Sequence, residues 1–193
     1  MKLRLLTGVL AFALTSLAAH AQIGVYFNPV GMRISNSVAD KGVLSFLGDG
    51  KKSQMFYGFN VGGYDDMYHR GKLEAGVDVR DIFVSGNNAT LNSFLVGGRV
   101  ADAPFKRPLK PFAQVSVGLG TTRPPRNPTH VSRFQFGVFA GADYTLAKHV
   151  DFRVIEVGYG SVQTVSNETI GFTAIVPSAN LLSVSTGLVF RFR

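Results

Sequence analysis

Four stretches of this chain alternate residue by residue between two kinds of side chain, and one of the two faces so defined carries no charge. A strand turns successive side chains to opposite sides, so an alternation of period 2 reads as strands with two different environments. One face runs Leu73, Ala75, Val77, Val79, then Ala113, Val115, Val117, Leu119, then Phe134, Phe136, Val138, Ala140, Ala142, Tyr144, then Leu182, Val184, Thr186, Leu188, Phe190, Phe192. None of these 20 positions is charged. The other face runs Glu74, Gly76, Asp78, Arg80, then Phe112, Gln114, Ser116, Gly118, then Gln135, Gly137, Phe139, Gly141, Asp143, then Ser183, Ser185, Gly187, Val189, Arg191. Of these 18, five are charged and five are Gly.

Weaker alternation over residues 23–33, 54–63, 91–100 and 151–160 brings the expected strand number to eight. Arg153 and Glu156 stand three apart and cannot share a face of a regular strand, so a β-bulge near Val154 or Ile155 is needed to place both inside. Long connections, 34–53, 121–132 and 161–177, and the short 85–90 are expected after the odd strands, and shorter ones, 64–71, 101–110 and 147–150, after the even strands. An even strand number with short turns at one end and longer loops at the other is the layout of a bacterial outer-membrane barrel.

The N-terminus reads as an export address. Lys2 and Arg4 precede an apolar run from Leu5 to Ala18, and Ala19-His20-Ala21 supplies a small-x-small cleavage pattern. The expectation is a signal peptide over 1–21 and a barrel domain over 22–193. The chain has no Cys, which excludes disulfides, Cys-ligated metals and a lipidated N-terminus. Beyond residue 22 no run approaches the 18 or so apolar residues of a membrane helix, so any crossing must be made by strands.

Two eight-stranded barrels compete for the pattern. A secreted lipocalin-like carrier turns its apolar face inward and its polar face to water; an outer-membrane barrel does the reverse. Exposed strands gain from charge and are weakened by Gly, whereas a narrow lumen suits Gly and Ser interleaved with a few large or charged groups. Only 17% of the residues are charged, against about 25% in soluble domains. A cation at the bilayer midplane costs about 2 to 4 kcal/mol, which accounts for the chargeless face. From Phe134 to Tyr144 the chain extends about 33 Å, or about 25 Å along the normal at a tilt near 40°, the height of an outer-membrane apolar band with aromatic girdles.

The C-terminal Ser185-Thr186-Gly187-Leu188-Val189-Phe190-Arg191-Phe192 resembles the last strand of small outer-membrane β-barrel proteins of the OmpA and OmpX kind. Gly141-Ala142-Asp143-Tyr144-Thr145-Leu146-Ala147-Lys148-His149-Val150-Asp151-Phe152-Arg153 is similar to their penultimate periplasmic hairpin. One departure is Arg193, which follows the final aromatic. The resemblance implies an all-β, eight-stranded, up-and-down transmembrane barrel in the bacterial outer membrane, held among membrane lipids and lipopolysaccharide. It also implies a structural, adhesive or surface-binding role for the extracellular loops, with Phe190 and Phe192 read as a terminal signal by the barrel assembly machinery.

Inside the barrel, Glu74, Asp78, Arg80, Arg99, Asp143, Arg153, Glu156 and Arg191 are expected to form a neutralising ion-pair network, because buried charge needs partners. The third extracellular loop is basic, with Arg123, Arg126 and Arg133 as candidate ligands for phosphate-bearing polyanions. Phe59-Asn60-Val61-Gly62-Gly63 and Phe94-Leu95-Val96-Gly97-Gly98 share a pattern that fits equivalent positions on two descending strands. His130-Val131-Ser132 raises a lipid A hydrolase as an alternative, yet the nearest downstream acid, Asp143, is 11 residues from Ser132, about 36 Å along a strand. No enzyme activity, no cofactor or metal and no nucleic-acid partner is expected: there is no nucleotide fingerprint, and His69, His130 and His149 lack ligand spacing. The extracellular partner has no signature in the sequence.

Overall fold

In a computed structural model of the protein, the described residues are 22–37, 39, 45–48, 50–102, 108–125, 130–163 and 178–192. The signal-peptide reading over 1–21 lies outside them, as do Arg126 and Arg193. Eight antiparallel strands, β1 (Gln22–Asn36), β2 (Ser53–Arg70), β3 (Leu73–Gly86), β4 (Ala89–Asp102), β5 (Leu109–Arg123), β6 (Val131–Ala147), β7 (Val150–Gln163) and β8 (Ser178–Phe192), pair in chain order. The barrel closes where β8 meets β1, with Val25 opposite Phe190 and Phe27 opposite Leu188. Closure removes every sheet edge, so the backbone is satisfied without water, the condition for crossing a bilayer. Among the described residues no helix is long and apolar enough to cross.

All 20 positions of the chargeless face point outward; Ala75 and Ala142 are half-buried and the others exposed. Phe27, Val61, Val79, Val96, Val117, Phe136, Val157 and Val184, one from each strand, carry an exposed apolar belt around the circumference, into which the half-buried Asp81, paired with Val61 and Phe94, also faces. Soluble monomers rarely expose apolar patches beyond a few hundred Å², and a belt of this kind calls for lipid. The polar face is turned inward, opposite to the lipocalin-like arrangement.

The strands are longer than the weaker alternation suggested. Residues 64–71 were expected to form a connection, but β2 continues to Arg70 and the turn is Gly71 and Lys72, with Gly71 at φ 65°. The cause is a register shift between Asp65 and Tyr68, which leaves Met67 and Tyr68 both exposed and breaks the alternation without ending the strand. Residues 85–90 contract to a two-residue turn, Asn87 and Asn88, at φ 51° and 63°. Two left-handed residues match a hairpin turn to the twist of its strands, and Asn tolerates that conformation better than most. The bulge required between Arg153 and Glu156 is present: the β7–β8 register shifts there, Val154 and Ile155 both face out, and the two charged residues both face in.

Candidate functional site

Two chemistries fill the lumen, one above the other. In the periplasmic half and centre, seven charged side chains interlock. Arg80 donates from Nε to Asp78 Oδ1 (3.0 Å), from Nη1 to Glu156 Oε1 (3.0 Å) and from Nη2 to Gln114 Oε1 (2.7 Å). Gln114 returns its amide to Asp78 (2.6 Å) and Ser116 (2.7 Å), and the Tyr26 hydroxyl donates to Asp78 (2.8 Å). Arg153 donates to Asp143 twice, at 2.8 and 3.2 Å, and to Glu156 Oε2 at 2.9 Å. Arg99 reaches Asp66 (2.6 Å) and lies 3.8 Å from Asp143.

These arginines also stack on rings, which replaces lost hydration with quadrupole attraction. Arg153 lies 4.6 Å from the Tyr26 centroid and 4.4 Å from that of Phe112; Arg80 lies 4.0 Å from Phe139, and Arg99 3.8 Å from Tyr64. Arg80 and Arg153 are each only 1% exposed. A guanidinium so placed is tolerable only with its fork fully engaged.

The network holds four acids against three arginines. A smaller group beneath it reverses the imbalance: Asp151 sits 3.4 Å from Lys110 and 2.6 Å from Arg191. Of the eight residues expected inside, Asp78, Arg80, Arg99, Asp143, Arg153 and Glu156 come together in one network. Arg191 belongs to the lower group, and Glu74 pairs apart with His69 at 3.4 Å. Asp66, Asp151, Lys110, Tyr26 and Tyr64 are members that the alternation did not reveal, and Gln114, which it placed on the inward face, joins the network as a bridge between Arg80 and Asp78. Asp66 was hidden by the irregularity of β2, and Tyr26 by the weak pattern of β1.

The extracellular half of the lumen keeps the expected small residues on β5 to β7, where Gly120, Gly137 and Gly160 are buried, but on β1 to β4 apolar side chains take the place of charge: Met32, Ile34, Phe56, Ile82, Leu91 and Leu95. Phe46 and Leu47, from the connection between β1 and β2, fold into the mouth, with Phe46 stacked on Phe56 at 5.4 Å. The signal was present in the parity of β1, where Val30, Met32 and Ile34 continue the inward register of Tyr26 and Asn28.

At the outer rim, Thr121 and Ser132 share a hydrogen bond of 2.7 Å on the outer surface. Their parity sends Arg123 outward and Arg133 inward, so these two do not form one cluster. Arg33, Lys51 and Lys52 stand exposed at the same end, and the described residues of that end include no acid. The hydroxyl of Ser132 is taken by Thr121, and Asp143 is held by Arg153 inside the barrel, so the His130, Ser132 and Asp143 set does not assemble. The described residues contain no group of potential metal ligands. Phe190 and Phe192 lie exposed on the outward face of β8, near its periplasmic end.

A closed eight-stranded barrel with a lipid-type exterior and a packed interior defines the protein as a small outer-membrane β-barrel. The fold has counterparts among solved structures. Neisserial surface protein A aligns over 88% of this chain and 97% of its own, with a TM-score of 0.51 and 15% identity. Ail, the attachment invasion locus protein of Yersinia pestis, covers 88% and 99%, with a TM-score of 0.48 and 9% identity. The outer membrane protein AlkL, solved in lipid bilayers, covers 91% and 92%, with a TM-score of 0.44 and 14% identity. No protein-family model matches the chain, and no curated protein matches it by sequence.

Proposed function

We propose that this barrel is a non-enzymatic envelope protein that acts through its extracellular rim, exported by a cleaved signal peptide over 1–21 and folded by the barrel assembly machinery reading Phe190 and Phe192. The observation that carries this reading is the filled lumen. Ion pairs below and apolar side chains above fill the lumen among the described residues, as eight strands dictate, and the outer surface is the part able to meet a partner. Arg33, Lys51, Lys52 and Arg123 are the cations available there, without a nearby acid among the described residues. They suit the phosphates of lipopolysaccharide, with the two arginines able to engage an oxyanion bidentately.

The test is binding of lipopolysaccharide to the refolded protein in zwitterionic micelles, for wild type and for Arg33→Gln/Lys51→Gln/Lys52→Gln/Arg123→Gln. Exposed charges each contribute a few tenths of a kcal/mol, so affinity should fall about tenfold in the quadruple variant, with a weaker salt dependence. Equal affinity and equal salt dependence in both proteins would remove the rim from the function.

A further inference from the structure

Two interruptions of strand pairing meet at one place in the lipid-facing wall. Pro29, midway along β1, has no N–H to give, and the β1–β8 pairing steps from Phe27 opposite Leu188 to Val30 opposite Ser185. On the other side of β8, the bulge at Val154 and Ile155 interrupts the β7–β8 pairing, and the Thr186 hydroxyl donates to the freed Arg153 carbonyl at 2.8 Å. The two interruptions adjoin across β8. They leave a groove of about 490 Å³ that spans β2, β1, β8 and β7. Its floor is low because Pro29 and Gly31 carry little or no side chain there; Tyr57 forms one bank, and Val154, Ile155 and Val184 the other.

We infer that this groove holds one acyl chain of a membrane lipid. The groove is continuous with the apolar belt and opens into the bilayer, where acyl chains are the material in contact with it. Within hydrocarbon there is no water to expel, so the driving force is dispersion: a trough in the wall forfeits contacts unless a slender chain fills it. The wall around Gly98 on β4 serves as the contrast. A Cβ at Gly98 would have no neighbour within 4 Å.

The experiment uses the whole barrel in phosphatidylcholine nanodiscs containing a graded fraction of 16-doxyl phosphatidylcholine. The amides of Val184 and Thr186 are read by paramagnetic relaxation in NMR. A held chain makes their relaxation enhancement exceed that at Gly98 at every labelled fraction. Native mass spectrometry from unlabelled nanodiscs should show one retained lipid on the wild type and on Gly98→Leu, and none on Gly31→Leu. A Cβ at Gly31 meets only the Tyr57 ring, at an ordinary 3.7 Å, so Leu fills the groove without disturbing the wall. Equal enhancement at all three amides, or the same retained lipid on all three proteins, would overturn the inference. Either result would leave membrane embedding untouched, because relaxation at the outward amides would still exceed that in the lumen.

Discussion

Arg153→Met lowers the stability of the refolded barrel by about 3 to 5 kcal/mol, read from urea midpoints at constant slope, because it removes one partner of a buried ion pair. The loss is large because Asp143 has its two short bonds from Arg153 and retains only Arg99, 3.8 Å away. Glu156 keeps Arg80 but loses its second guanidinium. The cost lies in the stranded carboxylate more than in the lost attraction, so Arg153→Met combined with Asp143→Leu should recover most of it. Strict additivity of the two changes, or a single-variant loss within about 0.5 kcal/mol, the range of ordinary surface substitutions, would show that the pair is hydrated and the lumen open.

Gly97 and Gly98 are neighbours on β4 that face opposite ways, and they should respond oppositely to alanine. A Cβ on Gly97 runs into the Val115 carbonyl oxygen and the Ser116 hydroxyl on β5, where backbone cannot swing aside. Gly97→Ala should therefore destabilise by about 1 to 3 kcal/mol, the usual cost of overpacking. Gly98 faces outward with open space around it, and Gly98→Ala should stabilise by about 0.4 to 1 kcal/mol by restricting the unfolded chain. Urea midpoints of the two variants in the same micelles make the comparison, and effects of the same sign would contradict the face assignment. The shared Phe-x-Val-Gly-Gly pattern has the same physical content on β2. A Cβ on Gly62 meets the Tyr26 ring and the Val79 carbonyl oxygen, whereas one on Gly63 has no neighbour nearer than 3.2 Å.

The exterior of the barrel was legible because lipid is an unforgiving solvent: a single charge on Val115 or Phe136 would be costly, so parity there is clean. The bulge followed from the same logic, since Arg153 and Glu156 could be paired with partners only if both entered the lumen. The interior was less legible. A lumen position accepts Gly, Arg or Leu according to what stands across the barrel, and what stands across is set by register, which no local pattern reports. Asp66 therefore escaped notice although it pairs with Arg99, while Met32 and Ile34 carried an inward parity on β1 whose apolar surroundings only the register discloses. As sequence, the third extracellular loop is one basic stretch. Two-residue periodicity instead sends Arg123 and Arg133 to opposite sides of the wall.

The central claim is that the chargeless face meets lipid and the polar face is sealed within. The chain has no native Cys, so a single spin label can be placed by Val117→Cys, at a position 50% exposed in the belt. In liposomes, the label's collision rate with oxygen, which concentrates in hydrocarbon, should exceed its rate with a water-soluble nickel chelate, and the ratio should rise from Leu119→Cys toward Val115→Cys as the site moves away from the extracellular interface. A label at Val117 that collides freely with the nickel chelate and shows no depth dependence would place this face in water and contradict the outer-membrane barrel.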